Sequence, residues 1–324
     1  MFLFVALLAA NCCHTRPKVD DGPAVWRTAP LPAAPQDISI VAVTGSSGKD
    51  IWALGKERST SRPILYHYDG SLWLIDPVSS KFPGAINDIV AAGPRDVWMV
   101  GDGGIMAHHD GTDWTITTLT KTVPQRLGHV DASKAGVWVT VELGKPAYYR
   151  RYGTEWVFEE PSTIPTQRFE DVWGSAPNDV WVVGGRVAHF DGKGWADQTV
   201  GKGTMNAVAG TARDDVWILG GRGSQLDIWE RRACAFHYDG AAWSEVPLPE
   251  GALYLHAIHA VARNEVYAVG NGGDAIRWDG VRWQRTLTGL EHQRGLPSLA
   301  GVYCPPGGKP VAGGYVGPVM LHGL

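Results

Sequence analysis

A two-part motif returns about every forty residues along almost the whole chain. Its first part is Asp-(Ile/Val)-Trp-x-(Val/Leu)-Gly or a close variant, which begins at Asp50, Asp96, Gly136, Asp179, Asp215 and Glu265. Its second part is Asp-Gly-x-x-Trp or a close variant, which ends at Trp73, Trp114, Trp156, Trp195, Trp243 and Trp283. Self-similarity at a fixed period is typical of repeat architectures, so it constrains the fold before any chemistry is considered.

The second repeat illustrates what each unit contains. Residues 86–91, 97–100, 105–109 and 114–118 are short apolar stretches separated by Gly, Pro and Asp. Such stretches predict antiparallel strands joined by hairpins. We expect the Asp-Gly pairs to form type I′ turns, which need positive φ angles. A four-stranded meander of this length is typical of one blade of a β-propeller.

The two ends of the chain together supply a further blade. Six units are complete, and residues 299–302, 310–313 and 318–321 add three strands without a closing Trp strand. The missing strand is predicted at residues 24–28, around Trp26. We therefore expect an all-β chain whose residues 24–324 form one seven-bladed propeller, with six or eight blades as alternatives. No segment has a sustained 3.6-residue apolar period, so little helix is expected.

Composition excludes several classes of function. The net charge is −4 with both signs interspersed, so the chain lacks the basic stripe that nucleic-acid binding needs. No Cys/His spacing indicates zinc, and no motif indicates another cofactor. We expect a monomer without metal or cofactor.

The first residues predict export. Residues 1–10 are apolar, too short a run to span a bilayer, and similar to the core of a secretory signal. Cys12 follows closely and resembles the lipidation site of a bacterial lipoprotein. Asn11 departs from the small residue usual before that Cys, and the absence of a preceding Lys or Arg leaves an upstream start codon open. Residues 1–13 are thus interpreted as a signal or lipoprotein segment and 14–23 as a linker. We expect a periplasmic, outer-membrane-anchored or secreted protein, with a cytosolic chain as the alternative.

Comparison between blades separates the scaffold from the site. A residue type that occupies the same position in every blade serves folding, so function is expected where blades differ. The recurring Asp residues are expected to cap backbone N–H groups. The same reasoning applies to a basic residue two positions before each turn, which we expect to pack against or bond to that turn: His67, His108, Arg150, His189, His237 and Arg277.

Two sets of residues do vary between blades. The first strands line the central channel, and near one mouth they carry polar residues that form our first candidate ligand site: Asn87, Asp88, His129, Glu170, Asp171, Asn206 and His256. A water-filled channel with solvated walls is the alternative interpretation. The second candidate is a long connection in blade five, since loops on rigid scaffolds often bind ligands. It carries Asp227, Trp229, Glu230, Arg231 and Arg232, although a tolerated surface insertion would look the same.

The motifs resemble those of a known family. Residues 96–101, Gly104-Ile105 and Trp114 are similar to the tectonin repeat of tachylectin-type propellers, and the likeness extends over residues 24–324. Tectonin-type proteins bind lipopolysaccharide and other glycans, so the resemblance implies lectin-like recognition. The seventh blade, the long blade-five connection and the N-terminal segment depart from that family and leave the ligand open.

Three functions are consistent with these patterns. We favour a non-catalytic, exported propeller that docks a protein at the cell envelope, attached to the membrane only through a lipid anchor. The alternative is a tectonin-like lectin that binds a surface glycan, with Trp229 stacking on sugar rings. A carbohydrate-active hydrolase or lyase is a third candidate, for which Glu170 and Asp88 would be the acid–base pair.

Export can be tested directly. Expression of the full chain in a Gram-negative host is expected to yield a shortened protein whose N-terminus is a lipidated Cys12, as measured by mass spectrometry. The Cys12→Ser variant should lose the lipid mass. An unprocessed N-terminus in the wild-type protein would contradict export.

Overall fold

The computed structural model describes residues 26–32, 37–119, 125–142, 147–160, 168–222, 232–290, 298–315 and 319–323, and the statements below concern these residues. They form seven sheets of four antiparallel strands each. The prediction of an all-β, seven-bladed propeller is confirmed.

The strands run in chain order through the blades. After β1 (Trp26–Thr28), blade one comprises β2 (Ile38–Ser47), β3 (Asp50–Glu57), β4 (Pro63–Tyr68) and β5 (Trp73–Ile75). Blade two comprises β6 (Ile86–Gly93), β7 (Asp96–Gly101), β8 (Ile105–His109) and β9 (Trp114–Thr118). Blade three comprises β10 (Leu127–Asp131), β11 (Trp138–Val141), β12 (Ala147–Tyr152) and β13 (Glu155–Glu159). Blade four comprises β14 (Phe169–Ala176), β15 (Asp179–Gly184), β16 (Val187–Phe190) and β17 (Trp195–Gln198).

The remaining blades follow the same plan. Blade five comprises β18 (Thr204–Ala212), β19 (Asp215–Arg222), β20 (Arg232–Tyr238) and β21 (Trp243–Glu245). Blade six comprises β22 (Leu255–Ala262), β23 (Glu265–Gly270), β24 (Ala275–Trp278) and β25 (Trp283–Thr286). Blade seven comprises β26 (Ser298–Tyr303), β27 (Val311–Tyr315), β28 (Val319–Gly323) and β1.

Helical structure in the described part of the chain is limited to three short 3₁₀ segments, Pro77–Lys81, Asp102–Gly104 and Asn271–Gly273. The first has Asp76 as its N-cap, whose carboxylate accepts a hydrogen bond from Val78 N at 2.8 Å. None of these segments has the length or hydropathy of a membrane-spanning helix.

The N-terminal strand closes the ring. β1 pairs antiparallel with β28, and Trp26 lies opposite Gly323. The Trp26 side chain is 4% exposed and packs with apolar residues of blades six and seven, among them Val269 and Leu299. Its indole N–H donates to Thr286 Oγ1 at 3.0 Å. The predicted closure around Trp26 is confirmed.

Apolar packing occurs between blades. The described core divides into seven clusters, and each joins two neighbouring blades. Trp98 of blade two, for example, packs with Val130 and Val139 of blade three, and Trp181 of blade four packs with Val208 of blade five. The Trp of the second strand in blades one to five is at most 3% exposed, and blade six has Tyr267 at this position, at 7%. These Trp residues therefore hold one blade against the next.

The motif Asp has a different role from the one we expected. In blade one, His67 Nε2 lies 2.7 Å from Asp50 Oδ1, and the imidazole stacks on the Trp52 indole at 3.9 Å between ring centres. The Ser46 hydroxyl donates to the same carboxylate. The His–Asp contact and the His–Trp stack recur in blades two, four and five, around Asp96, Asp179 and Asp215. The prediction that these carboxylates cap backbone N–H groups was wrong, because in these four blades the carboxylate is bonded to the His side chain instead.

The Asp of each Asp-Gly turn does cap backbone groups. Asp69 Oδ1 accepts hydrogen bonds from Ser71 N and Leu72 N, and Asp110, Asp191, Asp239 and Asp279 behave in the same way. Only the glycine has a positive φ in these turns, +95° at Gly70, whereas a type I′ turn needs two such residues. The predicted type I′ geometry was therefore wrong. The connection is a four-residue loop in which the Asp side chain caps two backbone N–H groups.

Ring closure gives a stability prediction. Trp26→Ala removes a buried aromatic side chain that joins two blades, so we expect it to lower the free energy of unfolding by about 3–5 kcal/mol. Arg27→Ala, on the adjacent exposed residue of the same strand, should change it by no more than about 0.5 kcal/mol. Urea unfolding measured by fluorescence would show the difference. Equal effects of the two variants would mean that Trp26 does not close the ring.

Candidate binding site at one mouth of the channel

A β-bulge lies near the start of every first strand. Pairing between first and second strands skips one residue at this point in six blades and two residues, Gly128 and His129, in blade three. The first skipped residue of each blade defines the bulge position: Val41, Asn87, Gly128, Glu170, Asn206, His256 and Ala300. Bulges commonly re-aim a side chain next to functional sites. Four of the seven residues predicted as a channel-mouth site occupy this position, and Asp88, His129 and Asp171 follow it directly.

A second variable position lies at the same mouth. The residue just before each bulge pairs with a second-strand residue, and the residue that follows this partner is what we call the rim position; in blade one, for example, Ile40 pairs with Gly55, and Lys56 follows. Its members are Lys56, Asp102, Glu142, Gly185, Gly221, Asn271 and Tyr315. Because strands are antiparallel, the ends of the second strands and the starts of the first strands meet at one mouth.

A chain of polar contacts crosses from blade one to blade two at this mouth. Lys56 Nζ donates to Asn87 Oδ1 at 3.2 Å. Asn87 Nδ2 donates to Asp102 Oδ1 and, at the same 2.8 Å distance, to the backbone oxygen of Leu127 in blade three. Burial, aided by the nearby Arg126, lowers the pKa of Lys56. Asn87 thus joins three blades.

The chain of contacts continues through ion pairs into blade four. Arg126 Nε lies 2.7 Å from Glu142 Oε2 and 3.5 Å from Asp102 Oδ1. The Arg168 guanidinium donates two hydrogen bonds to the Glu170 carboxylate, at 2.7 and 3.0 Å, and its Nη1 lies 3.9 Å from Glu142 Oε2. Arg126, Asp102 and Arg168 are 42%, 46% and 51% exposed, whereas Glu142 is 9% exposed. Three cations and three carboxylates therefore alternate along half of the mouth, and we call this set the charged arc.

In blades six and seven, the described side chains at the bulge and rim positions and beside them include imidazole, amide, hydroxyl and aromatic groups. His256 Nε2 lies 2.7 Å from Asn271 Oδ1, which also accepts from the Ser298 hydroxyl at 2.9 Å. The Tyr254 ring meets His256 edge-on at 5.2 Å, and the 37% exposed Tyr315 lies beyond it at 6.4 Å. We call this set the uncharged half.

Deeper in the channel, His129 lies between two carboxylates. Its Nδ1 is 3.7 Å from Asp88 Oδ2. Burial by itself would lower the pKa of His129, but the Asp88 carboxylate and the charges of Asp171 and Glu142 raise it to about 9. Burial raises the pKa of Asp171 to about 6. His129 is therefore an imidazolium at neutral pH.

The two Asp residues beside His129 also connect blades. Asp88 accepts from Ile89 N and from Val130 N of the next blade, at 2.8 and 3.0 Å. Asp171 does the same with Val172 N and Val208 N. These carboxylates bond backbone groups at equivalent places in two blades. Asp88 and Glu170 are the pair considered for catalysis. The Asp88 carboxylate accepts hydrogen bonds from backbone N–H groups, and the Glu170 carboxylate accepts them from Arg168.

The blade-five candidates are only partly described. Asp227, Trp229, Glu230 and Arg231 lie outside the described residues. Arg232 begins β20, is exposed and pairs with Arg222, whose guanidinium donates to Glu245 at 2.7 Å. The connection therefore starts and ends at the mouth that carries the charged arc.

Sequence reasoning missed the rim position. Lys56 and Asp102 bond Asn87, and Asn271 bonds His256, whereas Glu142 pairs with Arg126 and Arg168. All four rim residues follow the final residue of the first motif. The criterion of variation between blades, applied one residue after that motif, would have found them.

Within the described residues, no group of three or more His, Cys, Asp or Glu side chains is arranged to hold a metal ion.

Comparisons with known proteins identify similar folds. No protein-family model and no curated protein matches the sequence. Among solved structures, YCF48 bound to D1 peptide aligns with a TM-score of 0.68 at 16% identity, covering 96% of this chain and 99% of that one. The WD40 β-propeller domain of Doa1 aligns with a TM-score of 0.68 at 10% identity, covering 92% and 96%.

An extracellular domain is also similar. The domain of the putative hybrid two-component system BT4673 from B. thetaiotaomicron aligns with a TM-score of 0.63 at 12% identity, over 92% of this chain and 40% of that one. At these identities the likeness concerns the fold alone. Tectonin propellers are not among these three structures.

The His129 site predicts a pH dependence. The pKa of His129 is raised above its ordinary 6.5, so its charge stabilises the fold fully below pH 6.5, and this contribution is lost as the pH rises through about 9. We expect the free energy of unfolding to fall by about 1–3 kcal/mol over this range. Urea unfolding at pH 7.5 and 9.5 measures it, and the His129→Asn variant separates it from the titration of Asp131, whose pKa is raised to about 7 by burial.

The His129→Asn variant is the control for this prediction. It lacks the imidazolium, so its unfolding free energy should depend less on pH in the same range. An identical pH dependence in variant and wild type would show that another group is responsible.

Proposed function

We propose that this protein is a non-catalytic, exported propeller that docks a protein partner over the mouth carrying the charged arc and the uncharged half. The observation that carries the proposal is the charged arc itself. Its members occupy positions that differ from blade to blade, so a seven-fold scaffold does not require them. Arg126, Asp102 and Arg168 are about half-exposed, are held in fixed geometry by their neighbours, and are suited to pairing with the charges of a partner.

The form of the mouth favours a protein over a small ligand. Blades one to four carry alternating charges and blades six and seven carry amides, hydroxyls and tyrosines, so a partner needs complementary groups spread over several blades. Fixed, complementary charges favour rapid and selective association between proteins. A propeller of similar fold, YCF48, has been described bound to a D1 peptide, which supports peptide or protein binding as a use of this architecture.

A lectin is the second candidate, and one feature favours it. Tyr254, His256 and Tyr315 form an aromatic group beside the amide and hydroxyl groups of Asn271 and Ser298, the kinds of side chain that stack on and bond to sugars. The repeated Trp residues are less suitable, because those of the second strands are buried between blades. A lectin of this kind would have one site at the mouth instead of one per blade.

A reversal of charge on the arc tests protein docking. Full-length protein carrying a photo-crosslinking amino acid at Asp102 is incubated with an envelope extract, and crosslinked proteins are identified by mass spectrometry. We expect a discrete protein partner. The Arg168→Glu variant, which places like charges beside Glu170 and Glu142, should weaken binding of that purified partner at least tenfold.

The matched control lies at the opposite mouth. Arg263 is 56% exposed and paired with Asp214, much as Arg168 is paired with Glu170, so Arg263→Glu should leave the affinity unchanged. Equal losses in both variants would indicate a nonspecific charge effect and contradict docking at this mouth. Saturable binding to a related set of glycans on an array, lost in Tyr315→Ala, would instead establish the lectin.

A further inference from the structure

A cleft of about 340 Å³ lies at the mouth opposite the charged arc, where the first strands end and the second strands begin. Three neighbouring blades line it. Residues 133 and 134 belong to blade three, 173–175 to blade four and 210–213 to blade five. The volume lies within the range of about 300–1,000 Å³ that is usual for small-ligand sites.

Trp173, which lines this cleft, stands at a position that differs between blades. Its indole lies against Gly210 of the next blade, 2.6 Å from the place that a Cβ on that residue would occupy. Tyr303 of blade seven lies against Gly45 of blade one in the same way, but it is 5% exposed, whereas Trp173 is only half-buried. The corresponding residues of the other blades are Thr44, Val90, Asp131, Ala209 and His259. Trp173 therefore gives the cleft an aromatic surface that a seven-fold scaffold does not require.

Among the described residues that line the cleft, two are cations and none is a carboxylate. Lys134 is exposed and makes no hydrogen bond or ion pair within the part of the chain that the structure describes. Arg213 is 59% exposed and donates through Nη2 to Asn178 Oδ1 at 3.0 Å. Its Nε lies 3.9 Å from the buried Asp179 carboxylate, which is already bonded to His189. The two cations favour an anionic ligand, because charge-assisted hydrogen bonds are stronger than neutral ones.

The hydroxyl groups of the lining can accept hydrogen bonds from a ligand. The Ser175 hydroxyl donates to the Asp179 carboxylate, and the Thr211 hydroxyl donates to the Asp215 carboxylate. The Ser133 hydroxyl also has acceptors within the protein. A hydroxyl has one proton and two lone pairs, so each of these groups keeps acceptor capacity after its proton is used. A ligand that carries O–H donors complements them.

We propose that this cleft binds a sugar acid, a pyranose ring that carries a carboxylate. The carboxylate pairs with Lys134 and Arg213, the C–H face of the ring packs on Trp173, and ring hydroxyls donate to Ser175 and Thr211. A neutral sugar lacks the anion, and a simple anion lacks both the apolar face and the O–H donors. The site lies at the mouth opposite the proposed docking surface and does not rest on that function.

Full-length protein labelled with ¹⁵N-tryptophan tests the site by NMR. The indole N–H signal of Trp173 is assigned with the Trp173→Phe variant and followed during titration with methyl β-D-glucuronoside at constant ionic strength. We expect a saturable shift of this signal. Methyl β-D-glucoside, which lacks the carboxylate, and cyclohexanecarboxylate, which lacks the hydroxyls, should each bind at least tenfold more weakly.

Replacement of the cations tests how the carboxylate is held. Lys134→Met and Arg213→Gln should each weaken binding of the glucuronoside at least fivefold. Lys49→Met is the matched control, because Lys49 is an exposed lysine in the corresponding turn of blade one and does not line the cleft, so the affinity should be unchanged. Tyr315→Ala, at the other mouth, should also leave the affinity unchanged.

The possible results separate a sugar-acid site from simpler binding. Absence of a saturable Trp173 shift overturns the site, as does equal affinity for the glucoside. Equal affinity for cyclohexanecarboxylate or for inorganic phosphate indicates a general anion site and overturns the sugar assignment. Equal losses in Lys134→Met and Lys49→Met contradict binding in this cleft. Docking at the other mouth is tested separately, by the Arg168→Glu variant.

Discussion

No blade of this propeller can bury its own apolar surface, and every other feature of the molecule depends on that constraint. A four-stranded sheet has two faces, and the described core consists of clusters that each join two neighbouring blades. Each blade is therefore stable only between two others, as in other repeat proteins. An open row of blades would leave two blades with an exposed face. The closed ring has no such ends, and β1 with Trp26 completes the last blade.

The same constraint explains why the recurring polar residues are scaffold. The Asp–His–Trp arrangement in blades one, two, four and five stacks an imidazole on the buried indole and pairs it with a carboxylate. In blade three Gly136 replaces the Asp, and the Arg150 guanidinium lies 4.7 Å from the centre of the Trp138 ring instead. The basic side chain differs between blades, but in each of these blades it packs against the buried indole. A hydrogen-bonded His–Asp pair that recurs around a ring is therefore a packing element and does not mark a catalytic site.

Sequence patterns were sufficient for the architecture but only partly so for the site. Strand positions, blade number and closure follow from periodicity and from Trp26, because these are local patterns repeated many times. The channel-mouth residues were located by variation between blades, and Asn87, Glu170, Asn206 and His256 do lie on the bulges. Their partners could not be foreseen, since Lys56 and Asn87, or Arg126 and Asp102, meet only across neighbouring blades.

The sequence by itself determined that the chain repeats, that each repeat is a small sheet, and that its two ends complete one blade. Only the tertiary structure decided which variable side chains meet, because contacts across blades depend on where the bulge and rim positions fall around the ring. Asn87 and Asn206 show the distinction most clearly. Their sequence contexts look alike, yet the Asn87 amide oxygen accepts a hydrogen bond from Lys56 and the Asn206 amide oxygen accepts none from the described residues, because Gly185 stands on the adjoining blade where blade one has Lys56.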